Sequence, residues 1–169
     1  KRIADSHVIR THCQNYYEHL NSLSLSKKEV RRIGFPLSAK LIERECVIAQ
    51  GTLEGCTFAI ENGIAFNIAG GTHHAFYDRG EAFCLLNDQA IAANYLLDNN
   101  LAQRILIVDL DVHQGNGTAA LFQNNSSVFT FSVHCKANYP FQKELSDLDI
   151  PLEDNTKDIA YLSILEEAL

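Results

Sequence analysis

Two clusters of residues in this sequence have the types and the spacing to do chemistry. The first closes the stretch Arg104 to Gly117, RILIVDLDVHQGNG, where the apolar run Ile105, Leu106, Ile107, Val108 breaks into Asp109, Asp111 and His113. Alternate residues of an extended segment point the same way, so Asp111 and His113 are expected to offer one carboxylate oxygen and one imidazole nitrogen to a single divalent metal. A small mixed set of oxygen and nitrogen ligands leaves positions open for water and substrate, which is the catalytic rather than the structural pattern. The second cluster is the pair His73 and His74, just behind Gly70 and Gly71. Taken alone, such a pair reads as one satisfied core histidine and one surface histidine. Beside a second cluster of acids and an imidazole it can supply a general base and acid acting on metal-held water, with carboxylates to orient the rings.

The elements that must position these groups follow from the hydrophobic pattern. The continuous run Ile105 to Val108 suits a strand buried on both faces of a parallel sheet, and in such sheets ligands bind beyond the carboxyl ends of the strands. A second apolar run, Val128 to Val133, ends in His134, and a third, Ile64 to Ile68, ends at Gly70 and Gly71. Helical spacing is expected from Thr11 to Asn21, from Ser38 to Gly63, after Asn87 or Asp88 through Leu96, over Thr118 to Phe122, and from Thr156 to Leu169. Ser22 to Ser38 (SLSLSKKEVRRIGFPLS) reads as a polar, basic connection interrupted by Gly34 and Pro36. Strands alternating with helices argue for an α/β fold with a parallel sheet.

The chain has 169 residues, enough for one domain with a sizeable core, and a net charge of −7 without a long basic run. That balance excludes the electrostatic footprint of direct binding to nucleic acid or an anionic membrane. The five cysteines (Cys13, Cys46, Cys56, Cys84, Cys135) are odd in number and widely spaced. They read as reduced thiols of an intracellular, cytoplasmic protein. No apolar run is long enough to span a bilayer, and no signal peptide opens the chain. The sequence contains no Met, so it is expected to be an interior segment of a longer protein.

The motifs GGTHHA (Gly70–Ala75), FCLLND (Phe83–Asp88), ILIVDLDVHQGNGTA (Ile105–Ala119) and FTFSVHCKANYPF (Phe129–Phe141), with LSKKEVRRIGFP upstream, resemble the zinc-dependent histone deacetylase family. The likeness covers nearly the whole chain and is nearest to bacterial-type and class IV-like members, because QGN stands where class I enzymes have HGD. It implies the arginase/deacetylase-like fold, a three-layer α/β/α sandwich with a mainly parallel sheet, present here as a single domain over residues 1–169 that is incomplete at both ends. It implies zinc-dependent hydrolysis of an acylated lysine or small acylated amine, with metal-bound water attacking the amide. Asp111 and His113 become two of three zinc ligands, and His74 the base and acid. His73 tunes His74, Asp109 accepts from His73, and Asn116 replaces the carboxylate that often backs the second histidine. Phe83, Phe141 and Gly71 become substrate contacts. A potassium site is implied at Asp109, at backbone oxygens of Asp111, His113 and Val133, and at the Ser132 hydroxyl. The family's third zinc ligand and oxyanion tyrosine are expected downstream of Leu169, so this chain alone is expected to be inactive.

Four other readings compete. A phosphoryl-transfer enzyme could use Asp109 and Asp111 but leaves His73 and His74 without a role. A binuclear manganese hydrolase needs a carboxylate where Gly115 stands. A dinucleotide-binding module needs a fuller glycine pattern than GNG, and one without acids beside it. A catalytically dead acyl-lysine-binding or scaffold protein would keep the pocket without the reaction. Oligomeric state is not encoded in any motif.

Overall fold

Ile42, Cys46, Ala49 and Leu53 recur at three- and four-residue intervals, and a helix that carries them must bury that stripe. In the computed structural model, which describes residues 1–169, they lie on α4 (Ala39–Asn62). They pack with Val8 of α1 (Asp5–Thr11), with Tyr16 and Leu20 of α2 (Gln14–Asn21), with Ile33 of α3 (Lys27–Ile33) and with Ile91 of α5 (Asp88–Asp98) in one buried core. The remaining elements are β1 (Ile105–Asp109), α6 (Asn116–Phe122), β2 (Val128–Cys135), β3 (Leu148–Leu152) and α7 (Asp158–Ala168).

The three strands are parallel in the order β1-β2-β3. Parallel neighbours require a crossover, and α6 lies on the one that joins β1 to β2. Ala90, Ala93, Ile107, Phe122 and Val128 form a second, smaller core cluster that fastens α5 and α6 to the sheet. Asp109 pairs in register with Ser132, so the carboxyl ends of β1 and β2 come out side by side. The expected α/β architecture with a parallel sheet is therefore present. None of the five cysteines is in a disulfide, and no helix is long and apolar enough to cross a membrane.

Three expectations about elements are corrected, and one strand is added. Part of the basic connection is a helix: Ser26 Oγ accepts from the Glu29 N–H at 3.3 Å while the Glu29 carboxylate accepts from the Ser26 N–H at 2.7 Å. This reciprocal cap starts α3, and Gly34 at φ +87° ends it. The segment expected as one helix from Thr11 is broken at Cys13, whose thiol accepts from the Tyr16 N–H and caps α2. Ile64 to Ile68 is not a strand, because backbone groups in a strand need a neighbour and none pairs with it; Ile64, Phe66 and Ile68 are exposed. Conversely, β3 is a strand despite Pro151, which a strand at the edge of a sheet tolerates.

The end of α3 matters beyond its own stability. The Arg32 and Ile33 carbonyls accept from the Ala82 and Phe83 N–H groups at 3.0 and 2.6 Å and seat the turn that carries Phe83. Replacing the capping side chain, Ser26→Ala, is expected to lower stability by about 1 kcal/mol, read from the midpoint of chemical denaturation.

Candidate active site

Asp109 is the last residue of β1 and is buried. Its Oδ1 accepts from the Asp111 N–H at 3.0 Å, and Asp111 Oδ1 in turn accepts from the His113 N–H at 2.7 Å. The chain therefore bends after β1 instead of continuing extended. This succession of side chain to backbone bonds, not strand alternation, brings Asp111 and His113 together. His113 Nδ1 ends 2.9 Å from Asp111 Oδ1, with both side chains partly open, 38% and 49% exposed.

The histidine pair is held by its rings and by its backbone. His73 Nδ1 lies 2.5 Å from Asp109 Oδ2, and His74 Nδ1 lies 2.7 Å from Asn116 Oδ1. Ahead of the pair, the carboxylate of Asp88 accepts from the Gly71 N–H at 3.1 Å, the Thr72 N–H at 2.8 Å and the Thr72 hydroxyl at 2.7 Å. Behind it, Asn87 Nδ2 donates to the Ala75 carbonyl at 3.3 Å and to Thr118 Oγ1 at 3.0 Å. The Thr118 N–H donates to the His73 carbonyl at 3.1 Å. Gly117 has no room for a side chain, because a Cβ there would collide with the carbonyls of His73 and Ala75. One more histidine supports the loop: buried His12 sets Nδ1 2.7 Å from the Phe76 carbonyl, and its Nε2 accepts from the Asn87 N–H at 2.9 Å. That arrangement requires a neutral ring with the proton on Nδ1.

The two rings of the pair, 4.0 Å apart between centroids, are driven in opposite directions. Burial pulls His73 down, but the Asp109 bond and the charges of Asp109, Asp111 and Asp88 outweigh it, and its pKa rises. Burial and the positive neighbour His73 pull His74 down to about 4 against the Asn116 bond. Burial pushes Asp111 up, yet the His113 N–H and the nearby imidazoles bring it below the usual carboxylate range. The site thus sets a ring whose burial favours the neutral form beside a ring whose carboxylate partner favours the cation.

His74 and His113 open into a cavity of about 540 Å³ whose other lining residues are Arg32, Glu81, Ala82, Phe83 and Tyr139. The Tyr139 ring stands edge-on to His74 at 5.1 Å and to His113 at 6.1 Å, and its hydroxyl donates to Glu81 Oε1. Phe83 forms the facing wall, backed by Phe35 at 5.0 Å between centroids. Two of the expected substrate contacts do not lie here. Phe141 is 91% exposed and outside the lining, and its place as second wall is taken by Tyr139. Gly71 turns at φ +92° onto Asp88, outside the lining of the cavity. Tyr139 and Glu81 were legible only as loop residues, since nothing in a linear pattern says which aromatic of NYPF turns inward.

Asp111 and His113 have the chemistry of two ligands for a zinc-like cation, one oxygen and one nitrogen side by side, with His113 lining the cavity. No group of three His, Cys, Asp or Glu gathers in a metal-holding arrangement anywhere in the structure. Of the oxygen donors expected for potassium, Asp109 and Ser132 line a common void of only about 10 Å³. Val133 lines a separate cavity of about 540 Å³ beside α7.

A parallel sheet whose carboxyl ends meet a histidine pair, one ring backed by a carboxylate and the other by an amide, beside a further carboxylate and imidazole, fits the arginase/deacetylase-like fold. The histone deacetylase domain model matches residues 1–169, and the chain belongs to that family. An uncharacterized protein of Picosynechococcus sp. is 52% identical over 146 residues, covering 86% of this chain and 49% of that protein. The acetoin utilization protein AcuC of Bacillus subtilis is 31% identical, covering 79% and 38%. Histone deacetylase 2 of Arabidopsis thaliana is 30% identical, covering 96% and 44%. The fold matches the crystal structure of an HDAC homolog from Aquifex aeolicus with a TM-score of 0.85 at 24% identity, over 99% of this chain and 51% of that one. The chain thus spans about half the length of the relatives it matches.

Two outcomes are expected from this packing. Gly117→Ala should cost about 1–3 kcal/mol through overpacking, measured by denaturant unfolding, because backbone and not a flexible side chain occupies the space. For His12, burial lowers the pKa from the ordinary 6.5 to about 4, against the Phe76 carbonyl bond. The unfolded chain therefore binds the proton first. The stability this residue contributes is complete above pH 6.5 and is lost as the pH falls toward 4. A His12→Gln variant should show a flatter loss of unfolding free energy over that interval, and an unaltered slope would refute the assignment.

Proposed function

We propose that this chain forms part of a zinc-dependent deacylase that hydrolyses an acylated lysine or a similar acylated amine. The observation that carries the reading is His74: a low-pKa imidazole whose Nδ1 is engaged by Asn116, leaving Nε2 as the free nitrogen of a ring that lines the cavity. The family membership and the similarity to AcuC and histone deacetylase 2 support the same reaction class.

Asp111 and His113 would hold the zinc, which when bound supplies a Lewis acid that polarises the amide carbonyl and acidifies water. Phe83 and Tyr139 flank the cavity with aromatic surface suited to the aliphatic stem of an acyl-lysine. His74 Nε2 takes the proton of the attacking water. The ring's low pKa then makes it a ready donor, and the same proton passes to the leaving amine, so the carboxylic acid and amine products balance without another group. His73, whose protonated form the Asp109 carboxylate favours, opposes protonation of His74. Asp109 and Ser132 would contribute oxygen donors to a potassium ion behind this layer.

A second reading, a pocket that binds acyl-lysine without turnover, draws on one observation: only two metal donors meet in this chain. A panel of acyl substrates assayed on the protein of family length, with and without a zinc chelator, separates the two. The deacylase should show chelator-sensitive release of amine, and the binder none. In that protein Asp111→Ala and His113→Ala should lose both zinc, measured by elemental analysis, and activity. His74→Ala should retain zinc while turnover falls by roughly 10²–10⁴; undiminished turnover would remove His74 from the role.

A further inference from the structure

The residue behind His74 is an amide, and an amide has two unlike ends. Asn116 Oδ1 faces His74 Nδ1 at 2.7 Å and also accepts the Gly117 N–H at 3.0 Å. An oxygen in that place can only accept from His74, so the ring proton sits on Nδ1 and the lone pair on Nε2. Turned over, the amide would present its NH₂ to Nδ1 and force the proton onto Nε2, where a base is needed. The other end of the amide is also engaged: Asn116 Nδ2 lies 3.5 Å from Glu81 Oε1. That same oxygen accepts from the Tyr139 hydroxyl, while Arg79 Nε stands 3.6 Å from Glu81 Oε2. The Glu81 side chain is only 19% exposed, on the wall of the cavity.

We infer that Glu81 is a positioning residue for the reaction: its carboxylate takes the amino end of the Asn116 amide while the Gly117 N–H takes the oxygen end, and the two together keep that oxygen toward His74 and select the tautomer that leaves Nε2 basic. The inference rests on the deacylase reading of the site. It also accounts for the amide at position 116. A carboxylate there would stand 3.5 Å from a second carboxylate, and like charges at that range oppose one another. The amide donates to Glu81 and accepts from His74, so Glu81 and Asn116 work as one unit. Because Glu81 holds Tyr139 with the same oxygen, the wall of the cavity and the orientation of the base share an anchor.

The test is a four-corner cycle in the zinc-loaded protein of family length, comparing the parent, Glu81→Ala, Asn116→Asp, and the two combined. Each single change should lower kcat by about tenfold, the first by releasing the amino end of the amide and the second by opposing two carboxylates. The combined protein should recover most of the loss, since Asp has no wrong end and its rival is gone. Glu81→Gln, which keeps an acceptor oxygen, should retain more kcat than Glu81→Ala. Independently of activity, the ¹⁵N shifts of the His74 ring in the metal-free proteins should report protonated Nδ1 in the parent and in Glu81→Gln, and a shift toward protonated Nε2 in Glu81→Ala. Losses that simply multiply in the cycle, or a His74 tautomer indifferent to Glu81→Ala, would overturn the inference. If no variant and no parent turns over acyl substrates while the ring shifts follow this pattern, the deacylase reading fails and the role of Glu81 in setting the tautomer stands.

Discussion

The carboxylate of Asp109 is the interaction on which the rest of the site depends. One oxygen binds the ring of His73 and the other takes the Asp111 N–H, so a single side chain at the end of β1 ties the histidine loop to the bend that carries Asp111 and His113. Those segments are far apart in the chain and approach only because β1 ends beside β2 and beneath the loop that follows α4. A Cβ at Gly115 would strike the same carboxylate, so the residues after the bend are shaped around Asp109 as well.

Around that anchor the histidine pair is divided by environment, not by sequence. The rings are chemically identical neighbours, yet a buried carboxylate backs one and an amide the other. Burial lowers both; only His73 has a carboxylate partner strong enough to reverse the effect. The positive neighbour then deepens the fall of His74. A low-dielectric interior makes these differences large, which is why so few atoms suffice to assign different roles to adjacent residues.

The backbone beneath the rings is equally constrained. Asp88, Asn87, Thr118 and His12 engage the polar groups of residues 71–76 in turn, and Gly117 lets α6 approach them without a side chain between. A buried loop is expensive unless its N–H and C=O groups are partnered. Here the partners come from three places, the start of α5, α6 and the end of α1, so the loop conformation is a property of the assembled fold. Rigid support of this kind holds a base within hydrogen-bonding reach of its target.

By itself the sequence determined the chemistry available and the approximate place of most of it. An apolar run ending in DLDVH, an HH pair after a glycine pair, and the ordered motifs of a known family were enough to name His73, His74, Asp109, Asp111, His113 and Asn116, because residue type and order survive in one dimension. Periodicity likewise located α4, α5, β1 and β2. The tertiary structure decided what depends on a neighbour distant in the chain. Ile64 to Ile68 has the alternation of a strand but no strand to pair with, while β3 has a proline and forms because β2 lies alongside it. Tyr139 rather than Phe141 faces the histidines, and Gly71 binds Asp88 outside the lining of the cavity. The physical reason is common to all of these: strand pairing, ring orientation and proton affinity are set by what lies across a few ångströms of space, and that becomes known only when the chain has folded.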